Sequence, residues 1–255
     1  LRAPNKDNAA MEGDLAGDAR ATTQPQMLEG SVQIYKDVIG TSETTLAVDL
    51  HGRSNEHEFQ IGKAMLELKR DAEATAISLN VAQERTALLP PKTAGIAAHI
   101  FTNASVGVGG SVAAHTSGLP TTAIVPGTNR TFTADILEAQ MQAIYTSSGE
   151  TPPVAFMSPR HKVAASQFTG LSHIREDSNL GSNKEATIFR GADTYVSNFG
   201  AITFVPHYML STANHILMLS QKYNDAVFLR GFSKKRLGPR GDLIEDLITA
   251  EVGFR

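Results

Sequence analysis

The chain has 255 residues, a formal net charge of −3 and 41% hydrophobic residues, which is typical of a globular protein with one large domain or two smaller ones. The acidic balance argues against a dedicated nucleic-acid binder, which normally carries a basic face. The absence of cysteine excludes disulfides, a thiolate nucleophile and a cysteine-ligated zinc site. No apolar run approaches the length of a membrane span, and we find no signal-peptide pattern in the sequence.

The first 50 residues combine a polar stretch with two short segments of alternating polarity. Residues 1–30 are polar and small, which is typical either of a disordered terminus or of an extended arm that becomes ordered against a neighbour. Val32 and Ile34 alternate with polar residues, as do the apolar residues of 46–50, which predicts two strands with a turn at Gly40–Ser42. Such a two-stranded ribbon is only marginally stable by itself in water, so we expect it to pack against another surface.

The longest periodic segment is a predicted helix over Glu56–Asn80. Asn55 is a suitable N-cap, with Glu58 three residues later in an approximate capping box. A helix of this length spans roughly 35–40 Å, and its narrow, alanine-rich face requires a flat element packed closely against it. The residues of that face are Ile61, Met65, Leu68, Ala72, Ala76 and Leu79.

Short elements are predicted around a glycine-rich loop. The pair Pro90–Pro91 ends any preceding helix, and residues 93–101 have the apolar spacing of a short buried helix. Residues 107–118 are rich in glycine and small polar residues, so we predict a surface loop there. Its glycines lack the offsets of a phosphate-binding loop, and no strand leads into it as a nucleophile elbow would require.

Two capped helices are predicted in the middle of the chain. Thr133 is a suitable N-cap for a helix from Ala134 to Tyr145, and Gly149 lies just past its end. Ser158, followed by a proline, has the pattern of an N-cap with a first-turn proline. The helix that it starts is predicted to reach about Phe168.

The later part of the chain is predicted to be mostly β. Its segments have the short apolar or alternating patterns of strands, and Gly200 is placed to turn one hairpin. Because the strands are segregated late in the chain, the predicted fold class is α+β. The segments are Val154–Met157, Thr187–Arg190, Thr194–Asn198, Ala201–Val205, His215–Leu219, Asp225–Arg230 and Leu243–Val252.

Few residues have the spacing of a catalytic or metal site. The eight histidines are scattered, and each is expected to be a surface residue or a satisfied interior one. Glu67 and Asp71 lie four residues apart on the long helix, where they could hold a metal or act as an acid–base pair. Since Lys63, Arg70 and Glu73 surround them, a salt-bridge face is the better interpretation.

One basic cluster lies at Ser233–Arg236, extended by Arg240 and followed by Asp242, Glu245 and Asp246. We interpret it as a solvated loop between two strands. The alternative is a charge-matched contact with a partner subunit, or weak contact with nucleic-acid phosphates. The sequence therefore predicts no catalytic residue, no cofactor site and no metal site.

Four passages occur in a recognisable order. They are SVQIY with VIGT in residues 31–41, GRSNE with FQ and ELKRDAE in residues 52–73, TAGIAAHI with Asn103 in residues 93–103, and DTYVSNFG with VP, LG and GD in residues 193–242. Together they resemble the extended loop, spine helix, following helix and late strands of a tailed-bacteriophage major capsid protein with the Hong Kong 97 type fold. Within that fold they are similar to a subgroup catalogued as a domain of unknown function.

The resemblance implies an α+β subunit with an N-terminal arm, an extended β-hairpin loop, a peripheral domain with a long spine helix, and an axial domain. A strand pair that is not stable by itself is consistent with a shell subunit whose fold is completed by contacts with neighbouring subunits. The implied division is 1–20 as an N-terminal arm remnant, 21–50 as the extended loop (β-hairpin), 51–90 as the peripheral-domain spine helix, 91–212 as mostly the axial domain, and 213–255 as peripheral-domain strands.

The function that the resemblance implies is structural and not enzymatic. The chain would self-assemble into pentamers and hexamers that form an icosahedral head around double-stranded DNA. Its expected partners are copies of itself, then scaffolding, portal and decoration proteins, with non-specific contact to packaged DNA and no membrane. We expect it in the virion, after assembly in the bacterial host cytoplasm, without cofactors.

Two alternative functions stay open at this point. A shell of the same fold could enclose protein cargo instead of DNA. A soluble α+β hydrolase, from a different class, could build its site from scattered residues such as Ser111, His115 and Glu67. Some relatives of this fold crosslink Lys to Asn, and Lys36 lies in the predicted hairpin, but no motif identifies a partner and we predict no crosslink.

Overall fold

The computed structural model of this protein describes residues 27–48, 52, 55–168, 193–212, 214–238 and 241–254. Helices and strands are both present, so the mixed α and β class is confirmed. None of the described helices has the length and apolar character needed to cross a membrane. In chain order the elements are β1 (Gln33–Ser42), α1 (Glu43–Ala47), α2 (Glu56–Ile77), a 3₁₀ turn (Ile96–His99), β2 (Ala114–Thr116), β3 (Leu119–Thr122), α3 (Ala134–Ser148), β4 (Val154–Met157), α4 (Pro159–Ala165), β5 (Thr194–Ser197), β6 (Gly200–Pro206), a second 3₁₀ turn (Tyr208–Thr212), β7 (Leu217–Leu219), β8 (Ala226–Arg236) and β9 (Leu243–Phe254).

The long predicted helix is α2, and its start and buried face are confirmed. The Asn55 side chain accepts a hydrogen bond from the Glu58 N–H at 3.2 Å, which satisfies a donor that a helix N-terminus leaves free. The helix ends at Ile77, earlier than predicted, because Ser78 turns to an extended conformation. The buried residues are His57, Ile61, Ala64, Leu68 and Ala72. Of the other predicted positions, Met65 and Ala76 are partly buried beside them, and Leu79 lies beyond the helix end.

The flat element that α2 packs against is a three-stranded sheet in the order β1-β9-β8. Both pairings are antiparallel, and alternate residues of β1 and β9 face the helix. Burial of apolar surface in this layer stabilises the fold by about 25 cal/mol per Å². The core between helix and sheet comprises Tyr35, Ile61, Ala64, Leu68, Ala72, Ile248, Ala250, Val252 and Phe254.

The predicted pairing of two strands within residues 32–50 is wrong. β1 runs through the expected turn at Gly40–Ser42 and pairs with β9 along its whole length. Residues 43–47 form α1 instead of a strand, because the Ser42 hydroxyl accepts the Thr45 N–H as an N-cap. The alternation showed that a strand was present, but not which distant strand would pair with it.

A second layer of structure has its own sheet and core. The strand order is β5-β6-β4-β7, with β4 and β6 parallel and the other pairs antiparallel. The Thr133 hydroxyl caps α3 by accepting the Ile136 N–H at 3.4 Å, and Gly149 ends it at φ 74°, in the left-handed region that favours glycine. Ser158 caps α4 as predicted, and the helix runs from Pro159 to Ala165, ending sooner than expected. The core comprises Leu137, Met141, Ala155, Met157, Ala165, Phe168, Tyr195, Ile202 and Phe204.

The segment after α2 is tied closely to the helix end. The expected short helix at 93–101 is reduced to the first 3₁₀ turn. A side-chain carbon at Gly95 would lie 1.9 Å from the Ser78 carbonyl oxygen, so this position requires glycine. The expected loop at 107–118 contains a strand, since β2 pairs with β3. That prediction is therefore wrong for its last part.

The late strands are confirmed where the structure describes them, with one extension. β5, β6, β7, β8 and β9 correspond to the predicted strands, and Gly200 takes the hairpin position at φ 144°, paired with Ser197. β8 continues to Arg236, so the basic cluster Ser233–Arg236 belongs to a strand and not to a loop, because it finds backbone partners on β9. The strand predicted at Thr187–Arg190 lies outside the described residues.

We predict that Leu68→Asp strongly destabilises the subunit. Leu68 is 4% exposed in the core under α2, and an unpaired buried charge costs several kcal/mol. The matched control is Leu66→Asp, since Leu66 lies on the same helix and is 63% exposed. Thermal unfolding followed by circular dichroism measures both variants, and equal melting temperatures would contradict this packing of α2.

Candidate functional site

The residues that a hydrolase would need are not brought together. Ser111 lies in an isolated β-bridge. His115 packs edge-on against Phe101, with ring centroids 4.5 Å apart. Glu67 lies on the outer face of α2, 3.6 Å from Lys63, as expected for a salt-bridge face. Within the described residues no hydrogen bond joins these three candidates, and no group of three or more His, Asp or Glu side chains could hold a metal ion.

The sheet β1-β9-β8 has one covered face and one open face. Alternate residues of β9 from Asp246 to Val252 are buried toward α2, while the residues between them are half-buried. On the open face of β1, the side chains of Ile34 and Val38 are exposed. The open face of β1 therefore leaves these apolar side chains accessible to a neighbouring molecule.

The covered face contains a polar network around His57. The first turn of α2 places the His57 ring between two strands, with Nδ1 2.9 Å from the Thr41 hydroxyl and Nε2 3.0 Å from the Asp246 carboxylate. Because an ionised carboxylate only accepts hydrogen bonds, Nε2 carries a proton and donates a hydrogen bond to Asp246. All three residues are buried, so the network links β1, α2 and β9 inside the core.

Asp246 also faces two cations on β8. The Arg236 Nε donates to Asp246 Oδ1 at 3.3 Å, and the Lys234 Nζ lies 3.8 Å from Oδ2. Burial by itself raises the pKa of the Asp246 carboxyl, but the hydrogen bonds from His57 and Arg236 outweigh it, so this pKa is lowered. Asp246 is therefore ionised at neutral pH and joins all three strands to the helix.

The expectation that each histidine is a surface or a satisfied interior residue holds for His57, although the sequence does not name its partners. It is wrong for His99, His115 and His215, whose Nε2 atoms are buried without a hydrogen-bond partner in the described part of the chain. The pattern that points to the partners of His57 is in β9, where Asp246 takes an inward position in an otherwise apolar alternation with Ile248, Ala250 and Val252. A carboxylate on a buried face requires a partner, because an uncompensated buried charge is costly.

Comparison with known proteins identifies the family. The family model of the SU10 major capsid protein matches residues 1–255, which is the whole chain. The chain belongs to this family. The prediction of a phage major capsid subunit is confirmed by that match. A capsid protein assembles with copies of itself into a shell, and its location is the virion.

No curated protein matches this capsid protein. The holo-SrpI encapsulin complex from Synechococcus elongatus PCC 7942 is 14% identical to it with a TM-score of 0.46, over 88% of this chain and 69% of that one. The capsid asymmetric unit of cyanophage Pam1 is 13% identical with a TM-score of 0.46, over 97% of this chain and 78% of that one. The family assignment rests on the match to the major capsid protein model.

In this capsid protein, α2 also makes the polar contacts with the second layer. The His207 Nδ1 accepts the Met209 N–H at 3.3 Å, so Nε2 carries the proton and donates to Glu73 at 2.7 Å. The Arg70 Nε donates to the Tyr208 hydroxyl at 3.2 Å, and the guanidinium lies over the Tyr208 ring. These contacts fix where the second layer meets the long helix.

A groove of about 1270 Å³ lies where the two layers of the capsid protein meet. This volume exceeds that of usual small-molecule pockets. Its walls are mainly apolar and include Ile96, Ile136 and Leu217. Burial lowers the pKa of the His99 and His215 rings that face the groove, so both are neutral at pH 7. The groove therefore has the character of a packing surface and not of a charged catalytic site.

We predict that Asp246→Asn destabilises the capsid subunit by about 2 kcal/mol at pH 7. The variant leaves His57 and the two β8 cations without their carboxylate, and partial exposure of those cations keeps the cost below that of a fully buried pair. Asp71→Asn is the control, because Asp71 is exposed on α2 and its substitution is expected to change little.

The same variant has a defined pH dependence. Since the pKa of Asp246 is lowered on folding, its stabilising contribution is complete above the ordinary carboxyl pKa, about 3.9, and is lost as the pH falls through the lower folded value. The free energies of unfolding of wild type and variant, measured in urea, should therefore converge below about pH 4. A constant difference from pH 7 to pH 3 would contradict the proposed role of the Asp246 charge.

Proposed function

We propose that this chain is the building block of a tailed-phage head with the Hong Kong 97 type fold, forming pentamers and hexamers that close into an icosahedral shell around double-stranded DNA. The match to the major capsid protein family over residues 1–255 carries this proposal. A closed shell needs contacts between different surfaces of neighbouring copies, because a single two-fold contact stops at a dimer. The open sheet face and the apolar groove supply more than one surface of this kind.

We also propose that the chain is divided into the segments of such a subunit. Two separate cores support this division, since one joins α2 to β1, β8 and β9, and the other lies among α3, α4 and β4–β6. β7 is the exception, because it pairs with β4 of the second layer although it falls within 213–255. In this division β1 belongs to the extended-loop segment and attaches it to the peripheral sheet by pairing with β9. The segments are 1–20 (arm remnant), 21–50 (extended loop), 51–90 (spine helix), 91–212 (mostly axial domain) and 213–255 (peripheral strands).

The proposed role is structural, without catalytic, cofactor-binding or metal-binding residues. It is supported by the contacts of Ser111, His115 and Glu67, which are with other residues and not with each other among the described residues. The proposed partners are copies of the chain in pentamers and hexamers, then scaffolding, portal and decoration proteins, with non-specific contact to packaged DNA. Assembly is proposed to take place in the cytoplasm of the bacterial host.

Sedimentation and negative-stain electron microscopy of the purified chain test this proposal. We expect pentamers, hexamers or closed particles, because heterologous contacts close by symmetry. Purified particles from the native source are expected to show the ultraviolet absorbance of nucleic acid. Particles that hold protein without nucleic acid would instead support a cargo compartment, and a small oligomer that forms no particles would contradict both functions.

A further inference from the structure

The two edges of the sheet β1-β9-β8 carry opposite charges at the same end. β8 ends in Lys234, Lys235 and Arg236, which pair with the start of β9 and are called the basic edge here. The end of β1, residues 40–42, pairs with residues 243–245 on the other side of β9, nearer to its first residue. There Glu43 and Asp242 form the acidic edge, where the Glu43 N–H donates to the Asp242 carbonyl at 3.0 Å. β9 lies between β8 and β1, and the acidic edge is several residues nearer to the start of β9 than the basic edge.

Among the described residues, each edge keeps exposed charges without an ion-pair partner. One buried carboxylate, Asp246, faces two cations of the basic edge, and Lys235 has no ion pair among the described residues. The Glu43 carboxylate has no ion pair in the described part of the chain either, and Asp242 accepts a hydrogen bond from a threonine hydroxyl at 3.2 Å. Lys235, Glu43 and Asp242 are exposed, so a partner can reach their charges.

Exposed apolar side chains accompany both edges. Phe228 and Leu229 lie further along β8, and Leu229 is 68% exposed. Leu46 and Val48 follow β1, and Val48 is 57% exposed. Contact between the two kinds of edge would bury apolar surface and pair charges together, which gives an interface both affinity and a defined orientation. Two basic edges in contact would instead place like charges together.

We propose that the basic edge of one copy docks against the acidic edge of a second copy, so that the sheets of neighbouring subunits meet head to tail. This inference rests on the proposed shell-forming function and assigns one of its contact surfaces. Such a heterologous contact propagates from copy to copy until it closes into a ring. Each exposed ion pair is individually weak, but the repeated contact acts as a multivalent network.

Charge reversal tests this contact in the full chain. Lys235→Glu and Glu43→Lys each place like charges across it, so we expect each to raise the protein concentration needed for particle formation roughly tenfold. The double variant exchanges the two charges and is expected to assemble nearly as well as wild type. Arg85→Glu and Glu84→Lys are matched controls, because both residues are exposed in a different segment, and these variants are expected to assemble normally. Light scattering against protein concentration measures these five variants and wild type.

Thermal unfolding of the unassembled subunits separates contact from folding. Unchanged melting temperatures are expected, because the side chains are exposed, and Asp242→Lys provides a second acidic-edge variant if Glu43→Lys unfolds. Normal assembly of Lys235→Glu, or failure of the double variant to recover, overturns the head-to-tail contact and leaves the shell-forming function standing. A wild-type chain that forms no particles overturns the proposed function, and this contact falls with it.

Discussion

Packing of α2 against β9 is the contact on which the rest of the subunit depends. The helix meets the sheet through small residues, with Ala64 and Ala72 allowing the two backbones to approach and Leu68 filling the space between them. The same helix also carries Glu73 and Arg70 to the second layer. A shift of α2 on the sheet would therefore move both layers relative to each other, because the helix is the element that they share.

The buried carboxylate in this contact sets the register of the sheet. A slip of one residue in β9 would turn Asp246 to the open face, because side chains alternate between faces. His57 and the β8 cations would then lose their acceptor, at the cost of unpaired buried groups. Correct pairing also places Lys234–Arg236 of β8 beside residues 246–248 of β9, which pair with Asp37–Ile39 of β1 on the other side. The buried network around Asp246 thus fixes the strand register, and the register sets where the charged side chains of β8 lie on the surface.

What the sequence predicts best is local. Asn55, Thr133 and Gly149 act within one helical turn of themselves, so the starts of α2 and α3 and the end of α3 follow from neighbouring residues. Contacts between distant residues do not follow in this way. β1 shows its inward face but not its partner, and His57 meets Asp246 across 189 positions. The basic cluster is a strand for the same reason. Its conformation depends on pairing with β9, which local sequence patterns do not indicate. The order of the four short sequence passages indicates the family. The overall composition and the spacing within any one passage do not.

The pairing of β1 with β9 has a consequence for how the protein is made. The end of β1 at Ser42 pairs with Leu243, so roughly 200 residues must be synthesised in between, which takes about 10–40 s at ordinary ribosomal rates. Through that interval the nascent chain has neither the central strand nor the pair of charged edges. A polypeptide that ends before β9 therefore lacks both the strand that pairs with β1 along its whole length and the carboxylate that His57 contacts.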